Sequence, residues 1–154
     1  MSSFIRFKSL PLLLLALSLV ASCSTLGNRP SYFFLTNSED GKHEIHVDTG
    51  WIEKEGARVK AVVRFYPSEP ERERMRKEFE ELNAEVEKDL GPVPRDWPAL
   101  LDAAVKQRTR YYVFIADCGE GRIRVPGTPF TIEVKPGTPS GRIYDFLCSF
   151  YDAP

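Results

Sequence analysis

The residues richest in potential chemistry are His43-Glu44-Ile45-His46. A zinc-protease helix needs two histidines four apart with Glu beside the first. Here they are three apart, in an alternating segment that reads as a strand, so their side chains go to opposite faces. Glu44, His46 and Asp48 do share a face and offer three ligands to a divalent cation. A flat row of strand side chains seldom closes a coordination sphere, so a solvated strand face is the favoured reading, and no cofactor is expected. Asp145 is an acid within an apolar run, Tyr144 to Phe150, where burial would perturb it; Arg122, Arg124 and Arg142 are available partners. With only two histidines and no Gly-x-Ser-x-Gly elbow, no residue is assigned to catalysis. Trp51, in a polar stretch between Gly50 and Gly56, is the candidate exposed anchor for a ligand or partner.

The 154 residues carry 21 Lys+Arg against 22 Asp+Glu, a net charge of −1. This balance excludes a basic nucleic-acid binder, and 42% hydrophobic residues exclude a disordered chain. The length suits one domain with a real core.

The first 22 residues stand apart. Arg6 and Lys8 precede an apolar run, Leu10 to Ala21, and small residues lead into Cys23. That is the layout of a secretory signal peptide, too short for a spanning helix. Leu19-Val20-Ala21-Ser22-Cys23 resembles the lipobox of bacterial lipoproteins. The resemblance implies lipid transfer to Cys23 and cleavage before it. It also implies a membrane hold through acyl chains, and Ser24 favours the outer membrane, with the domain facing the periplasm or cell surface. Residues 24–31 would then be a short tether ahead of a single domain over 32–154. Removing Arg6 and Lys8 leaves 19 basic against 22 acidic residues, so the remaining chain is at −3.

With Cys23 assigned to lipid, Cys118 and Cys148 form an even pair in an oxidising compartment. Each lies in a run that alternates like a strand with an aromatic face: Tyr112, Phe114 and Ala116 beside Cys118, and Tyr144, Phe146 and Phe150 beside Cys148. A disulfide is the favoured reading and two buried thiols the alternative; the bond would contribute roughly 3 kcal/mol.

The elements that must position these residues follow from periodicity. Tyr32–Thr36 and His43–Asp48 read as a hairpin. Arg58–Tyr66 alternates cleanly, with Val59, Ala61, Val63 and Phe65 on one side. The period then switches to 3.6. Ser68 and Glu71 have capping-box spacing, and Met75, Phe79, Leu82, Val86 and Leu90 form one stripe. Gly91, Pro92 and Pro94 end that helix, and Asp96 caps a second, with Trp97, Leu100, Leu101, Ala104 and Val105 as its apolar side. Tyr111–Cys118 reads as a strand covered on both faces, followed by short strands at Arg122–Val125 and Phe130–Val134 and a closing strand at Arg142–Tyr151. Three strands, two helices and four strands predict an α+β fold. Its antiparallel sheet would have about six or seven strands, with the two mid-chain helices on one face. A β-sandwich with a helical insertion is the alternative.

The function expected is a lipid-anchored, non-enzymatic envelope domain that binds another envelope protein or a cell-wall component. A small apolar ligand held between helices and sheet is second, and a metal-dependent hydrolase third.

Overall fold

The computed structural model describes residues 31–92 and 95–151. Cys23 and its lipobox lie outside the described residues. The described chain is α+β: a six-stranded antiparallel sheet in sequential order, with three helices. The strands are β1 (Tyr32–Asn37), β2 (His43–Glu55), β3 (Arg58–Pro67), β4 (Arg110–Asp117), β5 (Arg122–Arg124) and β6 (Thr131–Glu133). The helices are α1 (Glu69–Leu90), α2 (Trp97–Arg108) and α3 (Pro139–Ser149).

The register fixes which residues share a face. Val47 pairs with Val63 and Val63 with Tyr112; Val59 pairs with Ala116 and Ala116 with Ile123. Apart from the exposed Tyr112, these residues, with Ile45, Ala61 and Phe114, make the core face, and Ile143 and Leu147 of α3 complete the buried cluster. No residue of α1 or α2 belongs to that cluster.

The closing strand expected at Arg142–Tyr151 is instead α3. Its start is conventional: Thr138 caps it by accepting from the Gly141 N–H at 3.2 Å, and Pro139 sits in the first turn, where its missing N–H costs nothing. The alternation of Tyr144, Phe146, Cys148 and Phe150 mimics a strand. The pair that is actually buried, Ile143 and Leu147, has the four-residue spacing of a helix face. Three devices hold α3 in place. Phe146 stacks on Phe33 with ring centroids 5.4 Å apart. The Tyr144 hydroxyl donates to the Cys118 carbonyl at 2.8 Å. Cys118 and Cys148 are joined by a disulfide, with Cα atoms 5.6 Å apart.

α1 and α2 form a hairpin between β3 and β4, and they do not supply the layer over the sheet. The buried residues of these helices are Met75 and Val105. Leu82 and Leu90 of the expected stripe are half-exposed or more. The Ser68 capping box does not form: the Ser68 hydroxyl donates to the Gly41 carbonyl at 2.7 Å, and Glu71 pairs with Arg74 and Arg108. Asp96 does cap α2, accepting from the Ala99 N–H at 3.1 Å. Arg74–Glu78 and Lys77–Glu73 pair across one turn, at 2.7 and 4.0 Å, as expected for a solvated helix surface.

The fold makes two stability predictions, both read by urea unfolding. A Cβ on Gly141 would meet the Lys135 carbonyl oxygen at 2.3 Å, so Gly141→Ala is expected to cost about 1–3 kcal/mol, whereas the exposed Asp145→Ala stays within about 0.5 kcal/mol. Cys118 and Cys148 are expected to yield no titratable thiol in the unreduced, denatured chain, and their reduction to cost about 3 kcal/mol.

Candidate functional site

Strand alternation leaves the second face of the sheet without a helix like α3, and none of the buried cluster lies on it. Its side chains fall into cross-strand rows. Phe34, His46, Arg64 and Tyr111 form one row across β1 to β4. Glu44 and Tyr66 form the row beside it. Towards the opposite end come Glu53, Lys60, Ile115, Arg124 and Thr131, and then Glu55, Arg58, Asp117, Arg122 and Glu133.

The first row centres on Arg64. Its guanidinium lies 4.0 Å from the Tyr32 ring centre and 5.0 Å from that of Tyr66, so ring faces stabilise the cation. Its Nη2 donates to His46 Nδ1 at 3.3 Å, while its buried Nε has no hydrogen-bond partner. No carboxylate of the described residues pairs with it within ion-pair distance. Because a guanidinium can only donate, His46 Nδ1 must accept, which places the imidazole proton on Nε2. That proton faces Glu44 Oε2 at 3.1 Å, and Glu44 Oε1 is 3.5 Å from Arg72 Nη1. A polar chain thus runs from Arg72 through Glu44 and His46 to Arg64. Burial holds the His46 pKa below its ordinary 6.5, with the Arg64 and Arg72 charges acting in the same direction and the Glu44 hydrogen bond opposing them.

The expected metal row does not assemble. Both His46 nitrogens are committed, and Asp48 is turned to the backbone: its Oδ1 accepts from the Ser31 N–H at 3.1 Å and the Gly50 N–H at 3.0 Å. Among the described residues no group of three His, Cys, Asp or Glu is placed to hold a metal ion. Asp48 has a different role. β2 carries extra residues between Val47 and Ile52, where its register with β3 shifts. Asp48 closes this bulge and fastens the incoming chain at Ser31, aided by Thr49, whose N–H and hydroxyl both donate to the Ser31 carbonyl.

Trp51 is not in a loop. β2 runs through Gly50, and Trp51 lies within it, half-buried, with Lys60 Nζ 4.8 Å from its ring centre. Asp145 is not a buried acid either; it is exposed on α3. Tyr111 and Tyr112, expected beneath cover, are exposed, Tyr111 at 57%, as is Phe34 at 50%. Arg64 and Tyr66 escaped selection because they looked like the polar side of an ordinary alternating strand. The signal available was the density of aromatic residues in the strands of that same sheet.

No helix among the described residues is long and apolar enough to cross a membrane. Comparison with known proteins returns no matching family model, no matching curated protein and no matching solved structure.

The state of His46 predicts a pH dependence. The unfolded chain takes up this proton at a higher pH than the folded one. The contribution is therefore fully present above about pH 6.5 and is lost as pH falls through the folded value. The urea midpoint is expected to drop between about pH 7.5 and about pH 5.5, and His46→Gln is expected to flatten the drop. Equal pH slopes in the two proteins would contradict the assignment.

Proposed function

We propose that this chain is a non-enzymatic binding domain of the bacterial cell envelope, held at a membrane by lipid on Cys23, and that the open sheet face receives a partner protein. The observation that carries the reading is the row Phe34–His46–Arg64–Tyr111, which lies on the face opposite α3 and has exposed rings at both ends. Tyr, Phe and Arg are the residue types enriched at interface centres, where large rigid rings bury area at little entropic cost. The hydrogen bonds around Arg64 fix that surface before a partner arrives, which lowers the cost of ordering it. Both His46 nitrogens are engaged, by Glu44 and Arg64, which favours binding over catalysis.

The lipobox-like segment supports the anchoring half of the reading. A tether over residues 24–31 spans at most about 30 Å when extended, which would keep the domain near the bilayer surface, at the outer membrane by the Ser24 preference. Its end at Ser31 is fastened to Asp48 and Thr49.

Two experiments test the proposal. Metabolic labelling with an alkyne fatty acid is expected to tag the wild-type chain and not Cys23→Ala; an unlabelled wild type would remove the anchor. A photo-crosslinking residue at Tyr111 is expected to give a discrete protein adduct in intact cells, and the same residue at Asp145 on the helical side none. Equal adducts at both positions, or none at Tyr111, would remove the binding face.

A further inference from the structure

At the other end of the open face the β5–β6 connection stands up from the sheet and closes a cleft of about 380 Å³, within the range of small-ligand sites. The wall is preformed. Pro126 and Pro129 fix their own φ angles. Gly127 supplies the φ of +80° that the turn needs. The Thr128 N–H and hydroxyl both return to the Val125 carbonyl, at 3.2 and 2.9 Å. This loop holds Phe130 at the rim, 73% exposed, and Ile115 lies on the floor.

The charged groups of the cleft are only partly matched to one another. Lys60 and Glu53 pair at 3.0 Å. Arg58 Nε and Arg124 Nη2 both approach one oxygen, Oδ2 of the nearly buried Asp117, at 3.6 and 3.3 Å. That single contact positions two guanidinium groups and leaves most of their N–H donors uncommitted. On the opposite side Glu55 faces Arg58 in the register, yet its exposed carboxylate makes no ion pair or hydrogen bond among the described residues. The cleft therefore presents open donors at Arg58 and Arg124, an open acceptor at Glu55, and an apolar wall beside them. Glu55 and Arg124 lie on strands three positions apart, a backbone separation of about 14 Å at the usual strand spacing.

We infer that this cleft binds a short zwitterionic peptide with an apolar side chain. The ligand's carboxylate meets the Arg58 and Arg124 donors, which suit planar bidentate recognition. Its ammonium meets Glu55, and its side chain packs on Ile115 and Phe130. A singly charged ligand would leave one of the two open sides of the cleft without its complement. The site is separate from the row that carries the partner-binding reading, and neither inference depends on the other.

The test is calorimetric titration of the folded domain with the dipeptide Ala-Phe, its N-acetyl form and its C-terminal amide, with NMR shifts of Thr128 to Thr131 locating the contact. Saturable binding of Ala-Phe is expected, with each blocked form at least tenfold weaker. Arg124→Gln is expected to abolish the penalty for amidation, and Glu55→Gln the penalty for acetylation; both sites are exposed, so the fold is retained. No saturation by Ala-Phe up to about 10 mM, weaker than any useful affinity, would overturn the inference. So would blocked forms that bind as well as the free dipeptide, or shifts confined to the Tyr111 row.

Discussion

The structure depends on one apolar seam. A six-stranded antiparallel sheet has two faces, and an apolar face must be covered by something. Here a single helix, α3, does it: Ile143 and Leu147 press on the face made by Ile45, Val63, Ala116 and their neighbours, each side chain contributing about 1.5–3 kcal/mol by leaving water. The disulfide from Cys118 to Cys148 and the Tyr144 hydroxyl bond tie the same helix to the end of β4 and the turn after it. Because the seam is one-sided, the other face is free to carry rings and ions that no core would tolerate. The α1–α2 hairpin is likewise released from the core and makes its buried contacts through Met75 and Val105.

Cations on the open face are stabilised in two different ways. Arg64 has no carboxylate partner among the described residues; ring faces and a neutral imidazole hold it, in a chain that ends at Arg72. Arg58 and Arg124 share one carboxylate oxygen, so Asp117 fixes both without exhausting either. Each arrangement keeps a guanidinium ordered yet accessible to further hydrogen bonds, and the two lie at opposite ends of the sheet. Near-neutral composition says nothing of this, since the charges are balanced in number and segregated in place.

The sheet was legible from sequence wherever one side of a strand is apolar and the other polar. Arg58–Tyr66 is the clearest case, and its faces are those of β3. Capping chemistry located α2 through Asp96 but misled at Ser68, because tertiary structure offered that hydroxyl the Gly41 carbonyl instead. The α3 segment was misread because its aromatic residues alternate while its buried residues step by four, and period alone does not say which set meets the core. Thr138 and Pro139 carried the missing information, having the same pairing of cap and early proline seen at Asp96 and Pro98. The open-face site was not legible. Phe34, His46, Arg64 and Tyr111 come from four strands, and only the register brings them into one row.

The position of α3 in the chain has a consequence for the order of events during synthesis. Every strand among the described residues precedes it, so a nascent chain that has emerged only as far as Lys135 holds all six strand segments and no cover for the apolar face. Until residues 139–149 arrive, Ile45, Val63, Phe114 and Ile123 form an adhesive surface. Cover of the apolar face therefore comes last along the chain, and the helix that supplies it also carries Cys148 to Cys118. A holding chaperone that shields the sheet during this interval would act on the face that is invisible in the finished protein.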